Sequence, residues 1–214
     1  MGSLPRIFVG LGNKGANYDD TRHNVGAYVL NEFALRVFEI KPDGWKIDNS
    51  LGCKFAKIFY EDRVIFLLRP DTFMNDSGGA ISKFCSYFKI SVDEMVVLCD
   101  DITIPVGEYK LTVREGDAGH NGVKNLIEYL GYGFFRFRIG IGGKKHRYML
   151  LADHVIGRLP AEDRKKIDEN LNNICNGLKL LLDKGASYSM NIINRGIRKH
   201  SEEESLQSDN DIGH

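Results

Sequence analysis

Apolar positions along the chain follow two spacings, one typical of strands and one typical of helices. Short apolar runs bounded by turn-forming residues predict β-strands over residues 7–10, 53–60, 64–68, 95–99, 108–113 and 137–141. Apolar residues at intervals of three and four predict helices over residues 25–38, 79–88, 123–130 and 161–183. Strands that alternate with helices indicate an α/β fold, a single-domain three-layer sandwich in which helices flank a twisted mixed β-sheet. The second and third strands meet near Asp62 and are predicted to form a hairpin, the antiparallel part of that sheet.

Two segments follow neither spacing. Residues 143–158 begin with the basic run Lys144-Lys145-His146-Arg147 and then turn apolar, which fits either a mobile cover over a cleft or an ordinary loop. From Lys199 onward the chain is acidic and nearly lacks apolar residues, a composition typical of disorder. We therefore expect one folded domain over residues 1–198 and a disordered acidic tail over residues 199–214.

Composition limits the compartment and the partners of the chain. Its 214 residues, 43% of them hydrophobic, are enough for the core of one domain. Lys+Arg and Asp+Glu both number 29, so a nucleic acid would have to be bound by a local basic patch. The cysteines lack metal-binding spacing and most lie in apolar runs, which favours reduced thiols in a cytoplasmic protein. Since no apolar run has the length of a membrane span and the N-terminus lacks a signal peptide, we expect no membrane partner.

The most informative segment is Gly10-Leu11-Gly12-Asn13-Lys14-Gly15, which follows the first predicted strand. Its glycines have the spacing of dinucleotide-binding loops, so a nicotinamide enzyme is one interpretation. That motif requires a helix to begin at the glycines, so that the helix amino terminus meets a pyrophosphate. Here a polar stretch comes first, and the helical spacing begins only at Val25, behind an expected cap at Asp20 or Thr21. The glycines are therefore predicted to shape a loop, with Asn13 and His23 at its rim.

Polar side chains follow several of the predicted strands. Asn13, Asn75, Asp100 and Asn121 each come after a strand, and His23 stands at the start of the first helix. The carboxyl ends of strands are where ligands bind in an open α/β sheet. Taken singly, each residue also fits turn or cap chemistry. Together they suit hydrolysis by activated water, because a histidine can accept the proton, a carboxylate can stabilise the imidazolium, and amides can hold a carbonyl.

Five separated motifs, taken in order, carry a resemblance to a known family. They are Gly10-Leu11-Gly12-Asn13 with Thr21-Arg22-His23-Asn24, then the stretch from Arg69 to Gly78, then Asp100-Asp101-Ile102-Thr103-Ile104-Pro105-Val106-Gly107, then Gly119-His120-Asn121-Gly122-Val123-Lys124, and Arg138-Ile139-Gly140-Ile141-Gly142. With these motifs, over residues 7–194, the chain resembles the bacterial-type peptidyl-tRNA hydrolases.

The resemblance implies a monomeric esterase that uses no metal or cofactor. Its substrate would be peptidyl-tRNA, and it would cleave the ester between the peptide and the 3′ ribose, which recycles the tRNA. By position, His23 matches the general base, Asp100 the carboxylate that supports it, and Asn13 the residue that distinguishes blocked from free aminoacyl ends. The positions that match contacts to substrate or tRNA are Tyr18, Phe73, Met74, Asn75, His120 and Asn121, together with the cations Lys110 and Arg138.

The chain departs from the family pattern at two positions. Lys14 stands where the family usually has proline, which changes the stiffness of the loop rather than its chemistry. Thr112 stands where a second lysine is common, so one phosphate contact is in doubt unless Arg114 replaces it. A different interpretation is an RNA-binding relative that has lost catalysis; the presence of both His23 and Asp100 argues against it.

Overall fold

A seven-stranded sheet forms the middle of the molecule within the residues that the structure, a computed structural model, describes, namely 4–144, 146 and 148–195. Its strands are β1 (Ile7–Gly10), β2 (Lys46–Asp48), β3 (Cys53–Tyr60), β4 (Arg63–Pro70), β5 (Met95–Asp101), β6 (Tyr109–Val113) and β7 (Phe135–Gly140). In space they lie in the order β2-β3-β4-β1-β5-β7-β6. The inner strands β4, β1, β5 and β7 run parallel, whereas β2, β3 and β6 pair antiparallel with their neighbours. The predicted hairpin is confirmed, since β3 and β4 are antiparallel partners.

Helices cover both faces of this sheet. One face carries α1 (Val25–Phe38) and α5 (Ala161–Lys184), and the other carries α2 (Ser77–Phe88) and α3 (Asn121–Leu130). Because successive strand residues point to opposite faces, Phe8 of β1 enters the core under α1 and α5, whereas Ile7 and Val9 enter the other core. The structure thus confirms the predicted three-layer α/β sandwich with a mixed sheet.

Part of the segment with no clear spacing is helical. Residues 151–156 form α4 (Leu151–Ile156), so an ordinary loop is the wrong description of them. With two buried residues, His154 and Val155, this helix is too short to give a periodic signal in the sequence. The chain is helical again over residues 186–195. The predicted acidic tail and the basic residues Lys145 and Arg147 lie outside the described residues.

The loop after β1 has no helix at its glycines. Two 3-10 turns, Ala16–Tyr18 and Arg22–Asn24, come before α1, and Gly15 has a φ of 101°. The cap expected at Asp20 or Thr21 is wrong for α1, whose N-cap is Asn24, because the second turn lies in between. The glycines therefore do not form the helix terminus that a pyrophosphate needs, which argues against a nicotinamide enzyme.

The connections after β1 and β5 leave the sheet toward opposite faces. The chain passes from β1 to α1 on one face, and from β5 by way of β6 to α3 on the other. Adjacent parallel strands whose connections diverge in this way leave a crevice at their carboxyl ends. The topology therefore places a crevice between the ends of β1 and β5, at Gly10 and Asp101.

The first turn of α1 lies unusually close to β5. A Cβ at Gly26 would be 2.3 Å from the carbonyl oxygen of Leu98 in β5, a distance that no side chain tolerates. Glycine at this position lets the amino terminus of α1, with the residues just before it, come against the end of β5. Residues His23 and Asp100 can then meet across the crevice.

All four cysteines are buried and unbonded, whereas the sequence placed only most of them in apolar runs. Burial raises the pKa of Cys53 to about 12 and that of Cys85 and Cys175 to about 11, so the thiolate, which is the reactive form, is scarce at neutral pH. Among the described residues, none of the helices combines the length and the hydropathy that crossing a bilayer requires.

Replacing Gly26 by alanine should push α1 away from β5. We expect Gly26→Ala to lower the free energy of unfolding by about 1–3 kcal/mol, the usual cost of an extra group in a filled space, as measured by urea denaturation. Gly116→Ala is the matched control, because a Cβ at Gly116 would meet nothing within 4 Å. Equal stability of the two variants would contradict the close approach of α1.

Candidate active site

A buried carboxylate, Asp100 at the end of β5, joins two histidines. Its Oδ1 lies 2.7 Å from His23 Nδ1 and 2.9 Å from His120 Nε2. All three residues are less than one-tenth exposed, at 6%, 5% and 8% respectively. The rings of the two histidines lie with their centroids 4.5 Å apart. The structure therefore brings together three residues that the sequence pointed to from three separate motifs.

The backbone fixes which nitrogen of His120 carries the proton. His120 is the N-cap of α3, and its Nδ1 accepts hydrogen bonds from the backbone N–H groups of Gly122 at 3.1 Å and Val123 at 3.3 Å. An accepting Nδ1 leaves the proton on Nε2, which then donates to Asp100. The structure places His120 in hydrogen-bond contact with Asp100 and in the lining of the cavity beside His23. The substrate contact that the sequence suggested for it stays a prediction.

The same reasoning identifies which nitrogen of His23 is unprotonated. Its Nδ1 donates to the Asp100 carboxylate, so Nε2 is the unprotonated nitrogen of the neutral ring. Nε2 has no hydrogen-bond partner among the described residues, and His23 helps to line a cavity of about 200 Å³. The orientation is the one a general base needs, with one nitrogen held by a carboxylate and the other open to solvent.

The two histidines keep Asp100 ionised. Burial alone would raise the pKa of this carboxyl group, but its interactions with His120 and His23 lower that pKa well below its usual range. A permanent negative charge beside His23 stabilises the imidazolium that forms when Nε2 takes a proton.

Arg22 fastens the turn that carries His23. Its guanidinium donates to the backbone oxygen of Arg158 at 3.0 Å and of His154 at 3.4 Å, and lies 3.7 Å from the carboxylate of Asp163. These contacts join the turn to the end of α4 and the start of α5. Sequence reasoning missed this role, because an arginine in a polar, turn-forming stretch gives no signal that it is buried.

Asn13 is held so that one atom faces outward. Its Oδ1 accepts a hydrogen bond of 2.8 Å from the backbone N–H of Met74, and its own backbone pairs with the side chain of Asn24 at 2.8 and 3.0 Å. Because Oδ1 is occupied, the side-chain Nδ2 is the group left to bind a ligand. Asn13 can therefore donate to a carbonyl oxygen. The part played by Asn24 was not predicted, although it directly follows His23.

The other predicted contact residues divide into exposed and buried ones. Asn75 and Asn121 are exposed, and their side chains have no hydrogen-bond partner among the described residues. Phe73 is 46% exposed, and its ring meets that of Tyr18 edge-on at 6.3 Å. Met74 is only 4% exposed and its sulfur lies against Gly122, so it supports Asn13 from within the core rather than offering a surface to substrate.

The cavity beside His23 lies under helix α4. Its walls include His23, Asp100 and His120 on one side and Leu151 and Val155 of α4 on the other. Helix α4, within the segment 143–158, therefore covers a cleft, as one of the two interpretations expected. Its mobility stays a prediction.

Asn121 reaches the site by a route that the sequence did not predict. Strand β6 runs antiparallel to β7 and therefore ends at the edge of the sheet away from the site. Residues 114–120 carry the chain back along β7, and Arg136 holds this return by donating to the backbone oxygens of Glu115 and Gly116. Placing Asn121 at the carboxyl end of a neighbouring strand was wrong; the returning segment brings it there.

The two predicted tRNA-binding cations differ in their surroundings. Lys110 of β6 is exposed and has no partner among the described residues. Arg138, its cross-strand neighbour, pairs with the buried Asp101 and lies 2.9 Å from Glu115. Arg138 thus belongs to an internal group of ion pairs, and its contact with tRNA stays a prediction.

The two positions near the family's second lysine offer no replacement. Thr112 is buried, and Arg114 follows β6 at the edge of the sheet away from the site. We therefore expect this phosphate contact to be missing in this chain.

The same three side chains could in principle bind a metal ion. The ligand atoms of His23, Asp100 and His120 all lie within 4.8 Å of one another. The Asp100 oxygen already occupies the point at which both imidazole nitrogens aim. A metal ion would have to displace both hydrogen bonds and move a buried carboxylate. The donor set fits the hydrogen-bonded arrangement better than a metal centre.

Comparison with known proteins gives a consistent result. The family model described as peptidyl-tRNA hydrolase matches residues 7–203. The chain is 35% identical over 192 residues to a peptidyl-tRNA hydrolase of Caldicellulosiruptor saccharolyticus, covering 89% of this chain and 97% of that protein. It is 36% identical over 190 residues to one of Bacillus anthracis, covering 88% and 99%. A crystal structure of peptidyl-tRNA hydrolase from Acinetobacter baumannii superposes with a TM-score of 0.82 at 29% identity, over 91% of this chain and 96% of that one.

Proposed function

This chain belongs to the peptidyl-tRNA hydrolase family, and on that premise we propose that it hydrolyses the ester between a peptide and the 3′ ribose of tRNA, which returns the tRNA for reuse. The observation that carries the proposal is the pairing of His23 Nδ1 with the buried Asp100, which leaves Nε2 open to the cavity. Release of labelled peptide from peptidyl-tRNA tests it directly. An RNA-binding relative without catalysis would bind this substrate and release no peptide.

The proposed reaction begins with a water molecule beside His23 Nε2. Nε2 takes a proton from the water as its oxygen attacks the ester carbonyl carbon, and Asp100 stabilises the imidazolium. The tetrahedral intermediate then collapses with cleavage of the bond to the ribose oxygen, which leaves with the proton from His23. The products are a tRNA with a 3′ terminal hydroxyl and a peptide carboxylic acid, which loses its proton to solvent at neutral pH.

The outward-facing groups suit the two halves of this substrate. Asn13 Nδ2 is a donor for the carbonyl of the peptide, and the exposed, unpaired amides of Asn75 and Asn121 are further groups that can bind the substrate. The exposed ring of Phe73 offers a face to a base or a ribose of the tRNA end. His120 acts through Asp100 and is a positioning residue in this scheme.

The proposal includes a monomeric, cytoplasmic enzyme. Asn13, His23 and Asp100 all come from one chain, which supports a site that is complete in a monomer. Four buried, unbonded cysteines suit a reducing compartment.

Removing the base should abolish most of the turnover. We expect His23→Ala to lower kcat by roughly 10² to 10⁴, the range of general acid–base catalysis, with little change in substrate binding. In Asp100→Asn, kcat should fall as well, and the acidic limb of its pH–rate profile should move to lower pH because the imidazolium has lost its anion. His146→Ala is the control, since His146 is exposed. An acidic limb that stays in place would rule out the role of Asp100.

Changing Asn13 to aspartate should weaken discrimination between blocked and free aminoacyl ends. The aspartate keeps the bond to the Met74 N–H but replaces the outward donor by an anionic acceptor. A free α-ammonium group, which is costly to bury without a partner, would then find one. The measurement is the ratio of kcat/KM for N-acetylated and free aminoacyl-tRNA. The ratio should fall in Asn13→Asp; no change would contradict the role of Asn13.

Replacing Lys110 and replacing Arg138 should have different effects, one on tRNA binding and the other on stability. Lys110→Ala should raise KM for full-length substrate and reduce the slope of log affinity against log salt by roughly 0.7 to 0.9, the value for one lost phosphate contact. Arg138→Ala should instead lower the free energy of unfolding by about 1–3 kcal/mol, because it leaves the carboxylate of Asp101 without its charged partner. Lys57→Ala is the control, since Lys57 is an exposed strand lysine near the opposite end of the sheet. A parental salt slope in Lys110→Ala would mean that the tRNA is bound elsewhere.

A further inference from the structure

Lys14 is held at the rim of the site by the backbone next to Asn13. Its backbone N–H donates to the backbone oxygen of Thr72 at 3.0 Å. The neighbouring Asn13 side chain is fixed by the backbone N–H of Met74, which belongs to the same segment as Thr72. Its Nζ lies 5.1 Å from the centroid of the exposed Phe73 ring, in the range of a cation–π contact. The backbone bond fixes the start of the Lys14 side chain, the Phe73 ring supports its ammonium group, and Lys14 and Asn13 line the same cavity.

A polar cavity of about 150 Å³ opens beside Lys14 and Asn13, between the loop after β1 and the ends of β3 and β4. Its charged walls are the cations Lys14, Lys54 and Arg69 and the carboxylates Asp19 and Asp71. Asp71 lies 3.3 Å from Lys54, and Asp19 acts electrostatically on Arg69. Lys14 has no carboxylate within 4 Å among the described residues. Arg69 also forms no ion pair within 4 Å among the described residues, but it is more buried than Lys14. Lys14 is therefore the exposed cation of this cavity that is available to bind an anion.

The sheet order places this cavity on the peptide side of the reaction. It lies at the ends of β3, β4 and β1, whereas Asp100 and Lys110 belong to strands on the other side of β1. If tRNA phosphates meet Lys110, the peptide extends from the ester carbonyl in the opposite direction, past Asn13. An extended peptide advances by about 3.3–3.6 Å per residue, so the side chain one residue before the ester-linked one comes near Lys14.

From these contacts we infer that Lys14 is a specificity-determining residue, which favours peptides with a carboxylate side chain on the residue that precedes the ester-linked one. The inference rests on the proposed function and adds a preference within the substrate class. The bond is an ion pair at the mouth of a cavity. Its expected size is that of a solvent-accessible pair, about two- to fivefold in kcat/KM.

The test uses three substrates on the same tRNA, N-acetyl-Glu-Ala, N-acetyl-Gln-Ala and N-acetyl-Lys-Ala esters. The parent protein should prefer Glu over Gln by about two- to fivefold at low salt. Lys14→Gln should bring the ratio close to one, Lys14→Arg should retain the preference, and Lys14→Glu should reverse it in favour of the Lys substrate. The matched control is Lys46→Gln, because Lys46 is exposed and lies over an aromatic ring in the same way, with its Nζ 5.7 Å from the Phe55 centroid, but outside the cavity lining.

The outcomes separate this inference from the proposed function. Hydrolysis of the neutral Gln substrate establishes the activity without reference to charge. Equal rates for Glu and Gln substrates in the parent, or a preference that survives in Lys14→Gln, overturn the inference and leave the activity intact. A uniform loss over all three substrates with a flatter salt slope would assign Lys14 to tRNA phosphates and would also overturn it. If no substrate is hydrolysed, both proposals fall.

Discussion

One oxygen atom, Oδ1 of Asp100, sets the geometry of the site because it accepts hydrogen bonds from two imidazoles in a buried place. A buried carboxylate is stable only when its charge is well paired. The two partners come from the ends of different structural elements, the turn before α1 and the cap of α3. Each must therefore come close to the end of β5, and Gly26 is the residue that makes this possible for α1. The fold and the site share one requirement, that three elements converge on a single carboxylate.

The sequence alone predicted those features that depend on the local pattern of one helix or one strand end. Long periodic segments such as α1 and α5 were predicted almost to the residue, since burial of one helix face repeats along the chain. His23, Asp100 and Asn13 stand in motifs whose spacing alone marks a turn at a strand end. What could not be predicted depends on contacts between distant segments. Neither the tie from Arg22 to α4 nor the cap that fixes the tautomer of His120 leaves a periodic signal.

The cations of this neutral chain divide into those that hold the fold and those that stay exposed. The guanidinium groups of Arg22 and Arg136 donate to backbone oxygens, and that of Arg138 pairs with a buried carboxylate. Their planar, multiple donors suit such fixed positions better than a lysine ammonium would. Lys14 and Lys110, in contrast, are exposed and have no carboxylate partner among the described residues. From the sequence the two classes look alike, and only the partners of each side chain separate them.

The double use of His120 connects the chemistry to the local unfolding of α3. Its Nδ1 serves as an acceptor for the first amides of the helix only while that nitrogen carries no proton. A proton there would turn the acceptor into a donor and free those amides, and loss of Asp100 would release the ring that caps them. Hydrogen–deuterium exchange at Gly122 and Val123 therefore reports the state of the buried carboxylate from the backbone, without any substrate. The start of α3 is a built-in probe of whether the site is assembled.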